Sequence, residues 1–495
     1  MSGSPAHRLG NTLAGVALVA AGLLLAVAGL RSEPPSFGQS GEGYVNTDRP
    51  GLDNHNSPAV AADPTRPTVV AVVDRVDAPR FNCTLSLSTN AGVSWRRVPL
   101  PLPADAPNCF WPDVAFDAEG RMLVLYTATG GRYNQPLGVW LQRFDGEAAS
   151  GPPVAVAGTE AFHAHLAVEG RQVVVAYVQT PPSNADRPLG FEPGIHPLMV
   201  TRSEDGGATF SPPLALDGDA RAAHPTVVAA GEGRFVVGAL DYHDDVDNYE
   251  ARHDGQGGPP PEGVTWRVLA WRSADSGRTF GPPVVVADGL PVPQRVVIDL
   301  APGPSFAADP ARDRVYAAWD AGTGNDRDVF VSSSFDGGTS WARGRPVEPR
   351  DGGQFLPALD VAADGRVDLV FYDRSNDPED VLVEARAGSS DDQGETFATT
   401  VVSSHRFDSR IGQGGLQAIP QLGNQLAVLS REDGFLAFWA DTTRATPTSA
   451  DVQVMDLAVA TLTPEDDGGR SWPLAAAGLA ALLAGGALLV VARRR

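Results

Sequence analysis

The sequence contains no lysine. All 38 basic residues are arginine, set against 60 acidic ones, and the net charge is −22. That shortage of positive charge excludes a nucleic-acid partner, which needs a basic footprint. Cysteine is nearly missing as well, with Cys83 and Cys109 alone. Two thiols are too few for a cysteine-built metal centre. The familiar catalytic signatures are absent too: no His-Glu-x-x-His, no Gly-x-Ser-x-Gly and no phosphate-binding glycine loop. What is plentiful is small and apolar, with 54 Gly, 42 Pro and 42% hydrophobic residues in 495. Such a chain is too apolar to be disordered and too long for one compact core.

Long apolar runs occur only at the two ends. Gly15 to Leu30 is almost unbroken, follows His7 and Arg8, and contains Ala26-Val27-Ala28, a small-residue pattern a signal peptidase could cut. Residues 1–31 therefore read as a secretory signal or an uncleaved N-terminal anchor. Leu474 to Ala492 carries no charge and is followed by Arg493, Arg494 and Arg495. About 20 apolar residues span a bilayer as a helix, and terminal arginines stay on the cytoplasmic side. Residues 474–492 are thus expected to cross the membrane, with 493–495 inside and the bulk of the chain outside. Gly468 and Gly469 before the apolar run loosely resemble a sorting signal that is cut and replaced. No Leu-Pro-x-Thr-Gly precedes it, so retention as an anchor is the expectation. Outside the cytoplasm, Cys83 and Cys109 are expected to form a disulfide. The closed loop would contribute about 3 kcal/mol in the chain-entropy model.

Between the ends one motif recurs: Ser, any, Asp, any, Gly, any, Ser or Thr, aromatic. It occurs at Ser203–Phe210, Ser273–Phe280, Ser334–Trp341 and Ser390–Phe397, with Asp205, Asp275, Asp336 and Asp392 at its third position. A weaker copy, Ser88–Trp95, has Asn90 there, and Phe144-Asp145-Gly146 resembles a decayed one. Asp, Asn and Ser side chains bond back to nearby backbone and fix tight turns, and Gly supplies positive φ. Each motif follows a pair of apolar strands, as in Pro357–Asp373, and Gln425–Asp441 repeats that spacing in a last pair that no motif follows. Seven such pairs are found, so seven blades are expected, with six as the alternative count. The seventh unit offers three strands, and its fourth is expected from the segment near Glu42 to Asn54, inside the linker 32–56. Pairing the two chain ends in one blade removes exposed edges.

On these motifs the region 57–463 resembles the Asp-box, or BNR-repeat, β-propellers of the sialidase-like family, in a membrane-anchored bacterial form. The resemblance implies an all-β propeller, followed by a linker at 464–473. It also implies that the Asp-box turns are structural and lie opposite the functional face. In sialidases three arginines clamp the substrate carboxylate, a Tyr with a Glu partner is the nucleophile, and an Asp is the acid. The arginine signature before the first box is matched poorly here, since Arg49-Pro50 follows Asp48. Arg295, Arg410, Tyr372 and Glu160 are the remaining parts from which such a site could be assembled.

The upper rim offers other candidates. Asp74, Asp241, Asp320 and Asp373 end second strands, and His224 and His243 lie near strand ends, as do His163 and His165. Four histidines near one channel mouth would be a metal-site candidate. The insertion after the fourth pair crowds Asp241, Asp244, Asp245, Asp247 and Glu250 into ten residues. Oxygen donors at this density suit Ca²⁺, although the spacing is not that of an EF-hand, and a solvated acidic loop is the other reading. No cofactor is required. The leading expectation is a monomeric, surface-anchored seven-bladed propeller that binds a glycan or an extracellular protein on its upper rim. The rivals are a glycoside hydrolase of sialidase type and a structural envelope protein.

Overall fold

The apolar runs become strands because valine and other β-formers dominate them and because both of their faces are covered. In the second strand of blade 3, Gln172–Gln179, the residues Val173, Val174, Val175 and Ala176 are all fully buried. Alternation disappears there because the strand sits between two neighbouring blades. The computed structural model describes residues 37–46, 53–77, 81–131, 134–179, 196–217, 222–242, 245, 262–292, 303–323, 326–379, 381–409, 422–444 and 455–464. They form seven antiparallel sheets, each with four main strands, and so a seven-bladed β-propeller. The first strands of the blades are His55–Asp63, Asn108–Phe116, Ala161–Glu169, Ala222–Gly231, Ser305–Asp309, Gln354–Val361 and Ala427–Arg431. They pack against one another in order, and the last returns to the first, so they line the centre of the ring.

Ring closure is made by the N-terminal strand. Phe37–Tyr44 forms the outer edge of blade 7, beside the strand Asp456–Pro464. It lies earlier in the chain than the expected Glu42 to Asn54. Its end is pinned by Val45 N donating to Leu457 O at 2.9 Å and by Asn46 Nδ2 donating to Asp456 Oδ1 at 2.7 Å. The ring of Tyr44 lies 4.0 Å from the Arg444 guanidinium. Cys83, in the third strand of blade 1, is bonded to Cys109, at the start of the first strand of blade 2, with Cα atoms 5.5 Å apart. The propeller unit is Gly38–Thr463. The apolar segments 15–30 and 474–492 lie outside the described residues. Among the described residues no helix is long and apolar enough to cross a membrane.

The recurring turns are built alike. The serine hydroxyl accepts the glycine N–H in each: Ser88–Gly92 and Ser203–Gly207 at 2.9 Å, Ser273–Gly277 at 3.0 Å, Ser334–Gly338 at 2.8 Å and Ser390–Gly394 at 2.9 Å. In the second turn Asp205 Oδ1 accepts the N–H groups of Ala208 and Thr209, and Oδ2 accepts the Thr209 hydroxyl at 2.7 Å. Burial acts to raise the Asp205 pKa, but these bonds and the one from Ser203 outweigh it and hold the carboxyl at about 2. Gly207 has φ 77°, and a Cβ there would run into Leu141 of the preceding blade. The aromatic residues of the turns fill the seams: Phe210 packs between blades 2 and 3, and Trp95 meets Phe438 of blade 7 at 6.0 Å. All five turns join third to fourth strands. They stand at the end of the ring opposite Asp74, Asp241, Asp320 and Asp373, which lie at or near the ends of the second strands.

Candidate functional site at the channel mouth

At that second end, five of the central strands share an irregularity. Ser57, Trp111, His163, His224 and Leu356 have φ of 51°, 51°, 48°, 49° and 59°. Each falls inside a register shift in the pairing of the first and second strands. Each is therefore a β-bulge whose extra residue is left-handed. Pro58, Pro112, Pro225 and Pro357 follow four of them and withdraw a ladder donor at that point. A bulky residue in this region costs of order 1–3 kcal/mol and persists only where its surroundings enforce it, which is commonest at functional sites.

Three of these bulges bring rings together. The Trp111 and His163 centroids are 4.0 Å apart, and those of His163 and His224 are 4.8 Å apart with 28° between the planes. Behind them Phe162 stacks on Phe110, which also meets Phe81 and, at 4.6 Å, the Arg75 guanidinium. Burial, reinforced by the repulsion of His224, His165, Arg75 and His196, pushes the His163 pKa well below the ordinary histidine value. Trp111 Nε1 donates to His165 Nε2 at 3.0 Å. Because indole is only a donor, Nε2 must be the unprotonated nitrogen. The proton of His165 therefore sits on Nδ1, which faces Asp113 Oδ2 at 3.2 Å. So the structure gathers His163, His165 and His224, with His196, but His163 and His224 meet face to face. Among the described residues no three His, Cys, Asp or Glu side chains are arranged to hold a metal ion. His243 lies outside the described residues.

Beside these rings, in blade 1 and at the head of blade 7, the mouth is polar and closely paired. His55 Nδ1 is 2.6 Å from Asp74 Oδ2, and Thr84 donates to the other oxygen. Arg75 Nε is 2.7 Å from Asp77 Oδ1, and Arg75 Nη1 donates to Asn424 Oδ1 at 2.7 Å. Asn56 Nδ2 donates to Asp77 Oδ2 at 2.8 Å. A cavity of about 180 Å³ lies on the channel axis, lined among others by Trp111, Asp113, His165 and Asn424.

The rim carboxylates do not face an open site. Asp241 Oδ2 accepts from Arg267 Nε at 2.9 Å, and Asp320 Oδ2 from Arg327 Nε at 2.8 Å. Asp373 is fully buried, accepts from Ser375 N at 2.8 Å and lies 3.5 Å from Arg386 Nε. With Asp74 held by His55, all four are tied to neighbouring strands or to their own turn. In the acidic insertion Asp245 is also fully buried and accepts from Trp266 Nε1 at 2.9 Å. Two of the five carboxylates proposed for Ca²⁺, Asp241 and Asp245, are thus already engaged. Asp244, Asp247 and Glu250 lie outside the described residues.

Tyr372 is not placed as a nucleophile. It is fully buried, its hydroxyl donates to Ala440 O at 2.9 Å and accepts from Ala440 N at 3.0 Å. Burial drives its pKa well above the ordinary tyrosine value. It fastens blade 6 to blade 7. Glu160 sits in the turn before the first strand of blade 3, with φ 76°. Arg49, Arg295 and Arg410 lie outside the described residues. Sequence reasoning missed Trp111, Asp113, Arg75, Asp77 and Asn424. The available signal was the residue before each proline at the head of a central strand.

No family model matches the chain, and no curated protein matches its sequence. Solved structures with a similar fold include a protein of unknown function from Dyadobacter fermentans, 12% identical, covering 87% of this chain and 100% of its own, with TM-score 0.48. An ulvan lyase of polysaccharide lyase family PL25 is 13% identical, covers 85% of this chain and 95% of its own, with TM-score 0.47. A Trypanosoma rangeli sialidase is 11% identical, covers 87% of this chain and 59% of its own, with TM-score 0.42.

Proposed function

We propose that this chain is an exported, surface-held propeller that binds the end of a glycan at its channel mouth, and that its recurring turns are Asp-boxes with a structural role. The observation that carries this reading is the set of five left-handed bulges at one end of the ring. They cost stability, they recur in five blades, and they bring Trp111 and His224 into the wall of a cavity on the axis, with His163 packed against both rings. The turns with Asp205, Asp275, Asp336, Asp392 and Asn90 lie at the far end, where their bonds are spent on the turn itself. Export is supported by the two apolar end segments and by a disulfide that needs an oxidising compartment. A glycan array probed with the full chain in detergent tests the reading. Binding above background is expected, and an array blank at every concentration overturns it.

A glycoside hydrolase is the second reading, favoured by one feature: Asp113 is a carboxylate in the cavity wall. Hydrolysis of this kind uses a pair of carboxylates or a tyrosine nucleophile. Tyr372 is committed to Ala440, and His165 Nε2 is capped by Trp111. Turnover of a fluorogenic sialoside or an aryl glycoside, lost in Asp113→Asn, would place this reading first.

A further inference from the structure

We propose that the cavity on the channel axis is a subsite for a protonated amine, the ammonium group of an amino sugar, with Asp113 as its counter-charge. This rests on the channel mouth being a glycan-binding site, and it names the class of sugar.

Asp113 stands on the central strand of blade 2, in the wall of the cavity. Its side chain keeps 13% of its surface open and that of His165 keeps 18%, so both can be reached. Asp113 Oδ1 accepts from Val114 N at 2.8 Å, and Oδ2 accepts from Leu166 N at 3.0 Å. Among the described residues its one ion-pair partner is His165, at 3.2 Å. Trp111 Nε1 donates to the far nitrogen of that ring, which leaves His165 neutral. The carboxylate therefore has hydrogen bonds but no cation. A charge taken this far out of water is costly unless it is paired. The chain has no lysine to supply an ammonium of its own. Arg75 of blade 1 is matched by Asp77 at 2.7 Å and brings no net charge.

An incoming ammonium fits what remains. A carboxylate oxygen has room for two donors, and Val114 N is one donor to Oδ1, so that oxygen can take a charge-assisted bond. Gln425, in the same wall, donates Nε2 to Pro58 O at 3.0 Å. A carbonyl only accepts, so the amide has one orientation, and its Oε1 adds an acceptor without charge. Trp111 does not oppose a cation, since an indole face attracts positive charge. Ser305 Oγ accepts from Leu359 N at 3.1 Å, which leaves its proton to donate to a ring hydroxyl. The cavity, about 180 Å³, is several times the ~30 Å³ share of one water, room for an amine and the carbons that bear it. The net charge of −22 draws cations toward the protein from solution. Acetylation removes the charge that Asp113 would meet, so the subsite separates free amino sugars from N-acetylated ones.

The test uses full-length protein in detergent, titrated by calorimetry at neutral pH with the methyl glycosides of glucosamine and galactosamine. Each is compared with its N-acetyl and its hydroxyl counterpart, which differ from it at one ring position. At least one amino sugar should bind at least about tenfold more tightly than both counterparts, the scale of one hydrogen bond between charged groups. Ethanolamine, an amine without a ring, should bind more weakly than that sugar. Asp113→Asn should erase the preference for the amine. Glu232→Gln removes an exposed charge from the turn between the first two strands of blade 4, away from the mouth, and should keep the preference. The wild-type series decides the matter even if Asp113→Asn does not fold. No amino sugar bound, none preferred over its counterparts, or ethanolamine bound as tightly would each overturn the inference. So would a preference kept in folded Asp113→Asn or lost equally in Glu232→Gln. If the glycan array is positive in such a case, the glycan-binding reading survives alone; if it is blank, both fall.

Discussion

Asp360 gives the sharpest test of the energetics, because it is a carboxylate placed directly opposite another. It lies on the central strand of blade 6, and its cross-strand partner on the second strand is Asp368. Arg366 is committed to Asp368, which it bonds through Nε and Nη2, both at 2.9 Å. Asp368 also accepts from Ser389 and Ser430, whereas Asp360 accepts from Ser430 N at 2.8 Å. Burial, with the Asp368 charge adding to it, pushes the Asp360 pKa up from 3.8 to about 6 in spite of the Ser430 bond. A raised folded-state pKa means the native protein binds this proton more tightly than the unfolded chain does. The associated stability is fully present below about pH 4 and is lost as pH rises through about 6. Two pKa steps correspond to about 3 kcal/mol; Asp360 is not fully enclosed, so screening reduces this to about 1–2 kcal/mol. Asp360→Asn keeps an acceptor for Ser430 and deletes the charge. In urea melts it should be more stable than wild type by about 1–2 kcal/mol near pH 7.5, and the difference should fall to about half near pH 5 and approach zero below about pH 4. The difference between proteins is the quantity to follow. His163, whose pKa is depressed, works in the opposite sense and destabilises the fold as pH falls below about 6.5. A difference that does not change with pH, or a mutant less stable near neutrality, would refute the reasoning.

Asp336→Ala removes the acceptor of Ser340 N at 2.8 Å, Thr339 N at 3.0 Å and the Ser340 and Ser334 hydroxyls, and should cost about 1–3 kcal/mol in denaturant melts while leaving array binding intact. Loss of binding at normal stability would reverse the structural reading of the turn. Tyr372→Phe strips Ala440 N of its acceptor and should lower stability by about 1–3 kcal/mol, with any glycosidase turnover unaltered; abolished turnover in a folded mutant would restore the tyrosine as nucleophile. Unreduced mass spectrometry of exported protein should show no free thiol at Cys83 or Cys109, and Cys83→Ser should cost about 3 kcal/mol for a loop of 26 residues. Two free thiols in that protein would contradict the bond.

The blades were legible because the turns that separate their strands use strictly local chemistry. Ser203, Asp205, Gly207 and Thr209 bond within one octapeptide, so their spacing in sequence already contains the geometry. The strand pairs were legible for a related reason, since Val367–Asp373 is buried on both faces and mostly apolar. The closing strand was located less well. Phe37–Tyr44 is specified by pairing with residues more than 400 positions away, as in the bond from Asn46 to Asp456, and no local pattern marks where it begins. The rim carboxylates were misjudged as open ligands for the same reason. Asp241 meets Arg267 and Asp320 meets Arg327 across a strand register that the sequence does not display.

His163, His165 and His224 were legible near the mouth, but the bulges that shape it escaped sequence reasoning because their left-handed residues are of the wrong kind. Glycine or asparagine announces positive φ, whereas tryptophan, histidine and leucine argue against it. Trp111 and His224 hold that conformation only because the strands on either side are anchored by blade-to-blade packing, which supplies the energy that local propensity withholds. The site also shares parts with the closure of the ring. Ser57 and Arg75 of blade 1 reach across to Asn424 of blade 7, the blade completed by the N-terminal strand. Asn424, which lines the axial cavity, is therefore one of the residues that join the last blade to the first, and the wall of the mouth and the closure of the ring draw on the same contacts.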